Sequence, residues 1–196
     1  MKTLVFLATL GICHAASLEF GTAVTGTAMF SSFGSVVATV PSPAWVPAVG
    51  NSSWVGPYAD TVWPNGKPKV ANGFEITYSL LFSLPEPPIS GTVTILADDE
   101  ASLFVNGISL ADDLLSGPAK NCAIDRPNCL SPLTLDITPY LTAGSNSVVA
   151  TVAQRFGGPT GLDIDGMVSY GAATPEPWTF GLVGLALAVI AKRRLA

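Results

Sequence analysis

The chain has 196 residues and a formal charge of −5, with 12% charged and 48% apolar residues, the reverse of a disordered composition. Its 19 Gly and 16 Pro follow no period, which excludes collagen and argues against a helical bundle in favour of short strands and many turns. The one histidine, His14, lies in a segment with an export signature; a mature chain without it has no Ser-His-Asp or Cys-His nucleophile, no histidine base and no histidine zinc ligand.

At the N-terminus, Lys2 precedes an apolar run from Leu4 to Ile12, and small residues follow at Cys13 and Ala15. This is the pattern of a secretory signal peptide over residues 1–15, with cleavage by signal peptidase between Ala15 and Ala16. Acylation at Cys13 is the lesser alternative, because Ile12 is bulkier than a lipoprotein site prefers.

Residues 16–173 form the expected exported domain, with thirteen acids against five bases and a formal charge of −8. Such a charge repels phosphate backbones and argues against nucleic-acid binding. Period-two alternation marks strands at Val36–Val40, Glu75–Phe82, Thr92–Ala97, Ser102–Val105, Leu133–Ile137, Val148–Ala153 and Ile164–Tyr170. Asn106-Gly107 between apolar triplets signals a hairpin with a type I′ turn. A helical turn is expected at Thr138–Leu141. Eight or nine strands and no helical period predict an all-β protein, an antiparallel β-sandwich. Cys122 and Cys129, as Cys-Ala-Ile-Asp-Arg-Pro-Asn-Cys, read as a disulfide closing a small loop, worth about 2.5 kcal/mol by the chain-entropy relation.

The C-terminus reads Thr174-Pro175-Glu176-Pro177, an apolar run from Trp178 to Ala191, then Lys192-Arg193-Arg194. As a helix the run would span roughly 21 Å, short of the ~30 Å hydrocarbon core, so it is a marginal transmembrane anchor. The cations behind it would stay cytoplasmic and stop its transfer. In that order the three parts of residues 174–196 resemble the PEP-CTERM sorting signal of Gram-negative bacteria, also labelled an ice-binding-protein C-terminal motif. The resemblance implies an exosortase that cleaves near Pro175–Pro177, transient membrane anchoring through the C-terminal helix, and delivery across the inner membrane to the cell surface or extracellular matrix.

A second resemblance covers roughly residues 50–171. Ala97-Asp98-Asp99-Glu100-Ala101-Ser102-Leu103-Phe104-Val105-Asn106-Gly107, then Asp136-Ile137-Thr138-Pro139-Tyr140-Leu141 with Gly144-Ser145-Asn146, then a last strand to Tyr170, look like the galactose-binding-domain-like jelly roll of carbohydrate-binding modules. It implies a non-catalytic domain.

Candidate site residues follow from these patterns. For sugar stacking, Tyr58 and Trp63 lie in a Gly/Pro-rich stretch, and Arg155-Phe156 opens a Gly-rich loop; Trp54 either joins them or plugs the end of the core. Asp98, Asp99 and Glu100 would supply oxygens to a structural Ca²⁺ or form a solvated turn, and Asp163 and Asp165, two apart on one face of a strand, would bind a metal with a partner from elsewhere or serve as a surface pair or turn cap. No other cofactor is expected. The expected function is carbohydrate binding, by envelope or extracellular polysaccharide; the alternatives are a self-associating matrix protein and a polysaccharide hydrolase. For the last, two carboxyls about 5–10 Å apart would be needed, and any of the thirteen acids could be nominated.

Overall fold

The computed structural model describes residues 15–59, 70–112, 128–155 and 157–171. Eleven strands run through them: β1 (Ala16–Gly21), β2 (Ala28–Ser31), β3 (Val37–Ala38), β4 (Val55–Gly56), β5 (Glu75–Leu84), β6 (Pro88–Asp98), β7 (Glu100–Val105), β8 (Ile108–Asp112), β9 (Leu133–Asp136), β10 (Gly144–Ala153) and β11 (Gly161–Tyr170). All pairings are antiparallel. One sheet runs β3-β4-β11-β6-β9 with β1 also on β11, and the other runs β2-β5-β10-β7-β8.

The alternating runs build the space between the sheets. On β5, Ile76, Tyr78, Leu80, Phe82 and Leu84 are buried while Glu75, Leu81 and Ser83 are exposed, the pattern of a strand with one face in the core. Val148, Ala150 and Val152 of β10, Leu103 and Val105 of β7, Val93 and Ile95 of β6, and Leu162, Ile164 and Val168 of β11 complete that core. Phe20 of β1 stacks on Phe82 with centroids 4.3 Å apart, and its ring lies flat over Gly166, where any Cβ would collide with it.

Three strands have no counterpart among those expected from the sequence: β1 and β2, close behind the export signature, and β4, which is two residues long. The strand expected at Val36–Val40 shortens to Val37–Ala38, after which the Thr39 amide donates to the Trp54 carbonyl at 2.9 Å. The hairpin at Asn106-Gly107 forms as expected, with φ of 48° and 81°. The helical turn is a single 3-10 turn at Thr138–Tyr140.

Trp54 does not plug the end of this core. It is buried in a second, smaller cluster with Trp45, Leu96 and Cys129 on the outer face of the six-stranded sheet. Leu96 points outward because it alternates with Ile95 and Ala97, and an outward leucine needs a cover. The two tryptophans provide it, with centroids 4.3 Å apart; Trp45 Nε1–H donates to Asp98 Oδ2 at 2.8 Å and Trp54 Nε1–H to the Val46 carbonyl at 3.0 Å.

The register assigns each loop to an end. Tyr170 pairs with both Ala16 and Pro88, so the chain enters and leaves the sandwich at one end. At the opposite end lie Asp98, Gly161, Glu75, Ala153 and Glu100. Ten residues of β11 separate the ends by roughly 30 Å.

Candidate functional site

The end opposite the termini gathers exposed aromatic rings. Phe33 follows β2 in a tight turn in which the Gly34 amide reaches back to the Ser31 carbonyl at 3.3 Å. Tyr58 follows β4, where the Val40 amide donates to the Ala59 carbonyl at 2.9 Å. Phe74 precedes β5, with one side against the core. Phe33 meets both: its centroid is 5.8 Å from Tyr58 and 5.4 Å from Phe74, edge to face in each case. Phe33 is 45% exposed and Tyr58 38%, so the group presents ring surface to solvent while Phe74 anchors it.

Backbone bonds tie this group to the charged residues of the same end. The Gly73 amide donates to the Gln154 carbonyl and the Gln154 amide to the Phe74 carbonyl, both at 2.8 Å. Arg155 is next; its Nε and Nη2 donate to Glu100 Oε2, each at 2.9 Å, and its backbone N–H donates to Asp99 Oδ2 at 2.8 Å. Its hydrogen bond to Glu100, supported by the charges of Glu100, Glu75 and Asp99, raises the guanidinium pKa. Arg155 is therefore a partner of Glu100.

Asp98, Asp99 and Glu100 are buried, which rules out a solvated turn. β6 passes directly into β7 here, and the carboxylates turn inward to meet the Trp45 indole, the Arg155 amide and the Arg155 guanidinium. Asp163 and Asp165 do share a face, the outer face of β11, and both bind the segment that covers it. Asp163 accepts from Thr22 Oγ1 at 3.0 Å, Ser52 Oγ at 2.6 Å and the Val49 amide at 2.8 Å, and Asp165 accepts from the Asn51 amide at 3.3 Å. Burial raises the Asp163 pKa against the pull of those donors. Among the described residues no three His, Cys, Asp or Glu side chains converge to hold a metal ion.

Several expected sites fall outside the described residues: Trp63, Phe156, Cys122 and the sorting residues Pro175, Glu176, Pro177, Lys192, Arg193 and Arg194. Cys129 is buried and disulfide-bonded. Ala15 precedes β1 and Ala16 is its first residue. No helix among the described residues is long and apolar enough to cross a membrane.

Phe33 and Phe74 are not among the expected stacking residues, although each lies beside a glycine, Gly34 and Gly73. Phe33 had a legible signal, a large ring between Ser32 and Gly34 where neither a strand nor a core needs one. Away from this end, a shallow groove of about 530 Å³ runs along β1 past Ser17, Glu19, Val24, Thr25 and Asn51; none of its lining residues is aromatic.

No family model and no curated protein matches the chain. Solved structures with a similar trace include an α-L-rhamnosidase from Streptomyces avermitilis complexed with L-rhamnose, at 19% identity over 72% of this chain and TM-score 0.45. The chain spans only 14% of that enzyme. A family 35 carbohydrate-binding module from Clostridium thermocellum aligns at 12% identity over 78% of this chain and 98% of its own, TM-score 0.35. Another family 35 module, from an environmental isolate, aligns at 19% identity over 81% and 99%, TM-score 0.34. At these scores neither ligand nor activity carries over to this chain.

Proposed function

We propose that this is a non-catalytic exported protein of the cell surface or extracellular matrix, and that its sandwich, of the galactose-binding jelly-roll kind, binds carbohydrate at the aromatic end. The observation that carries the reading is the exposed group of Phe33 and Tyr58 braced by Phe74. Flat apolar rings held rigid at a loop end offer the faces of a pyranose ring a surface to stack on, and little side-chain entropy is lost when they do. Delivery follows from the two terminal signals, with signal peptidase acting at Ala15–Ala16 and an exosortase at Pro175–Pro177. A tail leaving beside Tyr170 would hold the opposite, aromatic end roughly 30 Å from its attachment.

Two experiments test the two halves. Retention of the purified protein on immobilised bacterial and plant polysaccharides, with and without calcium, tests binding; Phe33→Ala with Tyr58→Ala is expected to weaken it at least tenfold, about 1.4 kcal/mol. For delivery, replacing Pro175, Glu176 and Pro177 by alanine in an exosortase-bearing cell should leave the unprocessed chain in the membrane; normal processing would refute that route.

One observation favours self-association as a second reading. Phe30 is 57% exposed and Leu81 44%, on neighbouring strands of the five-stranded sheet, and no charged residue occurs from Phe20 to Ala59. Concentration-dependent oligomers seen by light scattering and abolished by Phe30→Ser would support it.

A further inference from the structure

We infer that the aromatic end selects neutral glycans and discriminates against polymers of uronic acids; this rests on the carbohydrate reading above. A uronate carboxylate is held most strongly where a cation stands at its subsite. The described cation of this end is Arg155, whose guanidinium makes two bonds of 2.9 Å to Glu100. Glu100 is itself buried, so surrendering Arg155 to a ligand would leave a buried carboxylate without its counter-ion, an exchange that gains nothing. Around that pair stand further acids: Asp99 accepts from the Arg155 amide, and exposed Glu75 directly follows Phe74.

Among the described residues the other side of the end adds no charge. Phe33 and Tyr58 both come from the stretch between Phe20 and Ala59, which has none. A sugar stacked on these rings therefore meets apolar faces and backbone polar groups on one side and a negative field on the other. Neutral hydroxylated rings suit that surface, and a carboxylate is repelled by it.

The test is retention of the purified protein on matched pairs, galactan against galacturonan and glucan against glucuronan, at low and high salt. The uronate member is expected to bind roughly tenfold more weakly at low salt, the gap closing to about twofold at 0.5 M as the field is screened. Glu75→Gln should narrow the low-salt gap about threefold. Equal or tighter retention of the uronate polymer overturns the inference and leaves the carbohydrate reading standing. Failure of every neutral and uronate polymer to bind overturns both.

Discussion

Tyr78 faces the core from β5 with no exposed surface, and its hydroxyl has no hydrogen-bond partner among the described residues. Burial pushes the phenol pKa up, because the anion would be still less tolerable there. An unpaired buried hydroxyl costs about 1–3 kcal/mol, so Tyr78→Phe should leave stability unchanged or raise it by about 1 kcal/mol in urea unfolding; a clear loss would mean that the hydroxyl has a partner. Asp163 makes a prediction in pH. Its pKa is raised in the folded protein, so the fold holds that proton more tightly than the unfolded chain does. Stability contributed by this group therefore falls as pH rises from the ordinary aspartate range through the raised folded value, and is flat above it. Asp136 acts in the opposite sense: bonds from Thr138 lower its pKa, and its contribution is lost as pH falls. Asp163→Asn isolates the first effect, and unfolding midpoints measured across mildly acidic pH should lose that slope in the variant. The sequence marks Asp163 as sharing a face with Asp165, but neither its burial nor the unpaired Tyr78 hydroxyl is legible there. Alternation tells which face a residue takes, and the polar partners Asp163 finds there lie 111 to 141 positions away.

Elements were far more legible. The long strands β5, β6, β10 and β11 are each marked by alternation over part of their length, at Glu75–Phe82, Thr92–Ala97, Val148–Ala153 and Ile164–Tyr170, although β6 and β11 are covered on both faces toward Asp98 and Gly161. Two-residue strands such as β4 exist only because β11 lies beside them, and no local pattern can mark that. The residues behind the second family resemblance turn out to build turns. Asn106 Nδ2–H donates to the Tyr140 carbonyl at 2.8 Å and to Asn146 Oδ1 at 2.9 Å, while its Oδ1 accepts from the Ser147 amide at 2.8 Å. Asn146 in turn accepts from the Thr142 amide and donates to the Thr142 and Gly144 carbonyls. The hairpin is thereby pinned to the loop that leads into β10. Asn106→Ala should cost about 2 kcal/mol through lost bonds and a left-handed φ; Asn106→Gly, which tolerates that φ, should cost less, and thermal unfolding compares them. Gly166 is a second fixed point: Gly166→Ala drives a methyl into Phe20 and should cost about 1–3 kcal/mol, whereas an unchanged midpoint would show that the ring can move aside.

At the scale of the whole molecule, an all-β antiparallel sandwich follows from composition and alternation together. Its two ends were not foreseeable, because which loops share an end depends on the register of β11 against β1 and β6. That register sets the chain's entry and exit beside Tyr170 and the aromatic group at the far end. Of the expected sugar-stacking residues, Tyr58 and Arg155 lie at that end, Tyr58 in the aromatic group and Arg155 held by Glu100, while Trp63 and Phe156 lie outside the described residues. Phe33, which the sequence does not single out, joins Tyr58 there. The central claim is that this end is a glycan-binding surface, and the most direct measurement is retention on the polysaccharide panel of the protein beside its Phe33→Ala, Tyr58→Ala variant, with thermal midpoints recorded for both. The account predicts that one glycan class retains the protein and that the variant loses at least tenfold in affinity at an unchanged midpoint. Retention of nothing, or equal retention of the folded variant, would contradict it.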